Sequence, residues 1–172
     1  MTRPRILLAD DHSLVLAGLR RLVEDLGDVV GTVEDGRALI EQAQRLRPDI
    51  ILLDISMPLL NGLDAARQLT KLVPDSKLIF VTMHATPTYV TQAFEAGAAG
   101  YLGKQSAAEE LKQAIQAVLR GRHYMTPFVT KDTMEATLHP SQGSVCKRPV
   151  TALTQRQREV LQLLAEGKTM KE

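Results

Sequence analysis

Cysteine occurs once in this sequence, as Cys146, so no disulfide can form within the chain. A solitary thiol fits a reducing compartment. Tryptophan is absent and aromatic residues make up only 3% of the chain, so whatever core forms must be aliphatic. No apolar run approaches the roughly 20 residues that span a bilayer. The opening MTRPRILLADDH starts basic, but its apolar stretch stops at two aspartates, which is the pattern of a strand and not of a secretion signal. The expectation is a cytoplasmic protein with no membrane partner. Neither sign of charge prevails, because the net charge is +1. Residues 1–120 carry 13 basic and 15 acidic side chains, against 8 and 5 in residues 121–172. A mildly basic tail is compatible with nucleic acid but does not establish it, and a solvated surface is the simpler account.

At 172 residues, 44% hydrophobic and 24% charged, the chain has the make-up of one well-buried domain with an appendage, or of two small ones. Short aliphatic runs recur at ILLA (6–9), VVGTV (29–33), IILL (50–53), LIFV (78–81) and GYL (100–102). Brief Ile-, Val- and Leu-rich runs suit strands buried on both faces of a parallel sheet. Between them the spacing turns helical. Val15, Leu19, Leu22, Val23 and Leu26 form one stripe, Leu39, Ala43 and Leu46 a second, and Leu111, Ala114, Ile115, Val118 and Leu119 a third. Breakers stand where the elements should end: Gly27-Asp28, Asp35-Gly36, Pro48, Pro58, Gly62, Pro74 and Gly97. Five strands alternating with five helices predict a doubly wound α/β domain over residues 1–120. Its functional crevice should lie beyond the carboxyl ends of the strands.

The residues at those ends are Asp10-Asp11 after the first strand, Asp54 after the third, Thr82 at the fourth and Lys104 after the fifth. Each alone has an ordinary structural explanation: a helix cap, a β-former, a solvated lysine. Together they do not, because adjacent carboxylates repel and are costly to desolvate unless a cation joins them. Mg²⁺ is the natural cofactor, a hard ion that takes one or two carboxylates and leaves room for phosphate oxygens. With Lys104 as a second cation, Asp54 is placed to attack a phosphoryl donor. Thr82 can then donate to a phosphoryl oxygen. No GxxxxGK[ST] loop is present, so the donor is not expected to be ATP itself.

These residues resemble the receiver domains of bacterial response regulators. The matching segments are LLADDH (7–12), LLDISMPLLNG (52–62), FVTMHA (80–85) and GYLGK (100–104), and the likeness runs over about residues 4–120. The resemblance implies a flavodoxin-like sheet of five strands in the order 2-1-3-4-5, with Asp54 as phosphoacceptor for a sensor histidine kinase. It implies that Asp11 and Asp54 contact Mg²⁺ directly, that Asp10 acts largely through water, and that the backbone carbonyl of Ser56 completes the protein ligands. Thr82 and Tyr101 resemble the family's switch pair. Ser56 and His84, two residues beyond Asp54 and Thr82, occupy the positions that face the attacking water and tune phosphoryl lifetime, although His84 could equally be a bystander. All five positions of the family pattern are filled, which argues against a receiver unable to accept phosphate. Pro58 and Gly62 are read as shaping the loop after Asp54, the proline by fixing φ and the glycine by permitting a turn.

From Gly121 to about Pro149 the periodicity fades and Pro and Gly accumulate, which reads as a linker with a short helix around residues 130–138. Then LTQRQREVLQLLAEGKTMKE (153–172) resembles the opening of a LuxR-type helix-turn-helix, with Thr154 as N-cap, and so implies the NarL/FixJ group of response regulators. No recognition helix is included, so specific DNA binding is expected of a longer parent and not of these 172 residues. The end of the chain reads as a truncation. A homodimer that depends on phosphorylation is expected, with the exposed side of the helix at 107–120 as its surface. Two rival functions compete with this reading. A Mg²⁺-dependent phosphatase of the haloacid-dehalogenase type needs a second Asp two residues after the nucleophile, where this chain has Ser56. A receiver that acts through protein contacts alone remains the alternative.

Overall fold

The computed structural model describes residues 3–84 and 86–127. The linker beyond residue 127, the short helix expected at 130–138 and the helix-turn-helix segment at 150–172 lie outside the described residues. Six strands and five helices alternate: β1 (Arg5–Ala9), α1 (Ser13–Val23), β2 (Asp28–Val33), α2 (Gly36–Leu46), β3 (Ile50–Leu53), α3 (Gly62–Leu72), β4 (Lys77–Thr82), α4 (Pro87–Glu95), β5 (Gly100–Gly103), α5 (Ala107–Leu119) and β6 (Tyr124–Met125). The sheet runs β2-β1-β3-β4-β5-β6 with every pair parallel. The expected order 2-1-3-4-5 of a flavodoxin-like receiver is present, extended by one strand.

Because side chains alternate across a strand, each aliphatic run feeds two cores. Ile6, Leu8, Ile50, Leu52, Ile79 and Val81 point to the face covered by α1 and α5. Leu7, Ala9, Ile51, Leu53, Leu78 and Phe80 point to the face covered by α2, α3 and α4. The helical stripes legible in the sequence are the inner faces of these helices in part: Leu19 and Val23 point inward on α1 and Leu111, Ala114, Ile115 and Val118 on α5, but Leu22 and Leu119 stay exposed and Leu16 takes the inward place on α1. Each fully buried Leu or Ile contributes about 1.5–3 kcal/mol, so the double-sided sheet supplies the core that the scarcity of aromatics demanded.

Two departures from expectation bear on function. The first is β6, which lies where a linker was expected. The chain leaves α5 through a glycine at φ +74°, Gly121. Gly121 N bonds Val118 O at 3.0 Å and Arg122 N bonds Ala117 O at 3.0 Å, the paired bonds that close a helix on a left-handed residue. That turn brings Tyr124 and Met125 alongside Gly100 and Tyr101. A two-residue strand has too little pattern to announce itself, which is why the sequence read as linker there.

The second is Gly62. It was expected to permit a turn, yet the residue with positive φ in this loop is Leu59, at +64°. Gly62 is needed for closeness: a Cβ there would sit 1.9 Å from the Asp54 carbonyl oxygen. Its own N–H donates to Ile55 O at 2.8 Å, so the loop folds back on the start of the segment that follows β3. Gly36 is constrained likewise, with a Cβ falling 2.0 Å from Leu60 O. The loop is thus clasped between the N-termini of α2 and α3, capped by Asp35 and Asn61.

Candidate phosphoacceptor site

The carboxyl ends of the central strands are knitted by backbone bonds that continue the ladder. Asp54 N donates to Ala9 O at 3.0 Å, Asp10 N to Val33 O at 3.1 Å and Lys104 N to Thr82 O at 2.9 Å. Side chains from β1, β3 and the turn after β5 are thereby fixed over one small area. Lys104 Nζ stands 2.6 Å from Asp10 Oδ2 and 2.7 Å from Asp54 Oδ2. Both carboxylates are buried and the lysine side chain is only 11% exposed. Burial pulls the Lys104 ammonium down, but the hydrogen bonds and charges of Asp10 and Asp54 outweigh it and hold the group above its ordinary value.

Asp54 Oδ1 accepts from Ile55 N at 2.6 Å. Asp10 Oδ1 accepts from His12 N at 2.9 Å. Asp10 Oδ2 is fully enclosed and faces the Lys104 ammonium at 2.6 Å. Asp11 lies at the exposed rim, where its Oδ1 is 2.7 Å from His12 Nδ1. Ligand atoms of Asp10, Asp11 and His12 lie within 4.8 Å of one another. Three carboxylates and one ammonium leave two negative charges, the deficit that one divalent cation neutralises. An oxygen-rich donor set that carries this excess of negative charge fits a hard ion of the Mg²⁺ type.

Thr82 is fully buried, and its Oγ1 accepts from His84 N at 3.3 Å. Tyr101 is also fully buried. It is tilted against Phe80 with ring centroids 6.2 Å apart, and its hydroxyl donates to His84 O at 2.8 Å. Burial pushes the Tyr101 hydroxyl up strongly, helped by the nearby charge of Asp54 and by Tyr89. Ser56 Oγ and His84 Nε2 share a hydrogen bond of 2.8 Å, and the His84 ring rests on Tyr89 with centroids 4.5 Å apart. The two residues placed at hydrolysis-tuning positions are therefore bonded to each other. Sequence reasoning did not single out His12 or Tyr89. His12 could have been noticed as the third polar residue of DDH, whereas nothing local in the sequence ties Tyr89 to His84.

The receiver-domain model for response regulators matches residues 6–116. The DegU transcriptional regulatory protein of Brevibacillus brevis is 34% identical over 177 residues, a stretch that spans 95% of this chain and 75% of DegU. Among solved structures, a LuxR-family two-component response regulator from Aurantimonas sp. superposes with TM-score 0.76 at 35% identity, covering 81% of this chain and all of that one. A structure of RcsB dimers bound to DNA superposes with TM-score 0.72 at 27% identity, covering 98% of this chain and 79% of that one. The chain belongs to the response regulator receiver family, in its NarL/FixJ group. It is a signalling domain and not an enzyme in the ordinary sense.

Proposed function

We propose that this protein accepts a phosphoryl group on Asp54 from a sensor histidine kinase and changes conformation to control a DNA-binding transcriptional output. The observation that carries the reading is Lys104 held between Asp10 and Asp54, with Asp11 at the rim, at the carboxyl edge of the sheet. Asp10, Asp11, Asp54 and the backbone carbonyl of Ser56 are the groups that would hold Mg²⁺. When bound, the ion supplies positive charge that offsets the phosphoryl oxygens.

The chain's own residues do the rest. An Asp54 carboxylate oxygen attacks phosphorus, the P–N bond to the kinase imidazole breaks, and the bond's electron pair leaves with the imidazole. Lys104 passes from Asp54 Oδ2 to a phosphoryl oxygen as charge develops there. Thr82 donates a hydrogen bond from its hydroxyl to another, and Tyr101 packs behind it as the second member of the switch. Ser56 and His84 stand at the mouth, where they govern the approach of hydrolytic water. A cytoplasmic location follows from the kinase as partner. No helix among the described residues is long and apolar enough to cross a membrane.

The output belongs to the segment at 150–172 and whatever helix-turn-helix it opens. The RcsB relative seen on DNA as dimers supports an output of that kind. The direct test is incubation with acetyl phosphate and Mg²⁺, followed by intact mass. The expected result is one phosphoryl group per chain, lost in Asp54→Asn and lost on chelation of Mg²⁺. Rapid multiple turnover without accumulation of label would overturn the switch reading in favour of a phosphatase.

A further inference from the structure

Asparagine occurs once in this sequence, at position 61, and a glycine follows it. Asn-Gly is the dipeptide most open to loss of its side-chain amide, because no Cβ on the second residue hinders attack by its backbone nitrogen. In that reaction Gly62 N attacks Asn61 Cγ and closes a five-membered succinimide. The Cγ–Nδ2 bond breaks, and Nδ2 leaves as ammonia with the proton that Gly62 N gives up. Water then opens the ring. One side gives aspartate, and the other gives an isoaspartyl link whose main chain is a carbon longer. No reagent other than water is required.

The closed loop restrains both reacting groups. Gly62 N–H is committed to Ile55 O at 2.8 Å. At the other end, Asn61 Nδ2 donates to Asp64 Oδ2 and Asn61 Oδ1 accepts from Asp64 N, both at 2.9 Å. Ring closure also requires a rotation about the Asn61 Cα–C bond, away from its extended ψ of 158°. Gly62 is pressed against the Asp54 carbonyl, where a Cβ would fall 1.9 Å from the oxygen, so the rotation has to carry it out of that contact. The same closeness links the amide to the phosphoacceptor. A main chain lengthened at position 61 displaces Gly62, and Gly62 stands directly against Asp54.

We infer that Asn61 is a latent deamidation site, silent while the β3–α3 loop is closed, and that its conversion when the loop loosens ends phosphoryl uptake at Asp54. The second half rests on the phosphoacceptor reading above. Attack needs the Gly62 bond and both Asn61 bonds open together, so its rate follows the population of the open loop. Reclosing the loop does not reverse the product. Aspartate at position 61 is the milder outcome, because it still caps α3 as the asparagine does. The isoaspartyl link moves the backbone beneath Asp54 as well. A loop that spends long enough open therefore loses its phosphoacceptor geometry for good, whereas one that stays closed keeps its amide.

The test incubates the 172-residue chain at mildly alkaline pH, folded and in urea, and follows Asn61 by peptide mapping. Mapping also separates position 61 from Asp35-Gly36, which isomerises by the same chemistry. Conversion at Asn61 should be at least about tenfold slower in the folded chain, and equal rates in the two would overturn the inference. Gly36→Ala opens the loop from its other side, because the added methyl falls on Leu60 O, and it alters neither Asn61 nor Gly62. It should convert about threefold or more faster than the wild type in buffer. A Gly36→Ala protein that melts earlier yet converts no faster would also sink the idea. The consequence for Asp54 is read with Mg²⁺ and beryllofluoride, a stable mimic of the phosphoryl group whose fluorine resonance reports binding. Wild-type chain warmed to just below its melting transition should lose mimic binding in step with conversion. Asn61→Ser, whose hydroxyl still caps α3 and which has no amide to lose, should keep it. Equal loss in both proteins would overturn the effect on Asp54 and leave the conversion standing. Failure of fresh wild-type chain to bind the mimic, matching Asp54→Asn, would overturn the phosphoacceptor reading, and peptide mapping would still decide the conversion.

Discussion

Lys104 is the residue on which the site's electrostatics turn. It compensates two carboxylates whose side chains are 1% and 5% exposed, and removing it leaves both without a positive neighbour of that quality. Lys104→Ala is therefore expected to lower stability by about 3–5 kcal/mol, the range seen when one partner of a buried pair is deleted. Urea denaturation measures it, and added Mg²⁺ should recover part of the loss because it restores positive charge at the same oxygens. Asp54→Asn should act in the opposite sense, raising the midpoint by relieving acidic crowding. A Lys104→Ala protein as stable as the wild type would mean that the two carboxylates are solvated in solution. Tyr101 gives a second prediction. Burial, then the charge of Asp54, raises its hydroxyl above the ordinary 10.0. The unfolded chain therefore loses this proton first as pH rises, so folding stability from this group is whole below pH 10 and is lost as pH climbs towards the higher folded value. Tyr101→Phe should flatten that alkaline decline in denaturation midpoints taken from pH 8 upward, at the cost of the bond to His84 O.

At the scale of elements, the loop between β3 and α3 holds Asp54 by close approach more than by any single bond. A methyl at Gly62 would overlap the Asp54 carbonyl, so Gly62→Ala must push the α3 N-terminus away from the site. The expected loss is about 1–3 kcal/mol, the usual range for overpacking, together with slower labelling at Asp54. Melting curves and the rate of uptake from acetyl phosphate check the two parts, and normal labelling in a destabilised protein would show that the loop does not position Asp54. The sequence disclosed that Gly62 mattered but not why. A glycine looks the same whether it serves a left-handed turn or a tight contact, and only the fold shows that Leu59 carries the positive φ. The same limit explains the rest. IILL and LIFV were legible because double-sided burial writes itself as uninterrupted aliphatic residues, and Asp10, Asp11, Asp54 and Lys104 were legible because strand ends must converge in a doubly wound sheet. β6 was not, because two residues carry no period. The Ser56–His84–Tyr89 contacts were not, because they join two loops and a helix whose approach depends on packing.

At the scale of the whole molecule, the sheet constrains how two copies could meet. The β5 edge is already paired with Tyr124 and Met125, so a second copy cannot simply add a strand to Gly100 and Tyr101. The helical faces are open by comparison. α1 and α5 share one face of the sheet and leave leucines outside the core, Leu14 at 85% and Leu22 at 37% exposure on α1 and Leu119 at 47% on α5. The outer side of α5 is accordingly the surface on which a phosphorylation-dependent homodimer is expected, since closed two-fold association needs a single self-complementary patch. Sedimentation of the 172-residue chain with Mg²⁺ should show mainly monomer, and addition of beryllofluoride should shift it towards dimer. Leu119→Glu places a charge in the patch without touching the site, so it should bind the mimic normally yet remain monomeric. If that variant dimerises as readily as the wild type, the interface lies on another face. If neither protein responds while both bind the mimic, the message leaves this domain through the chain that follows β6 and not through association.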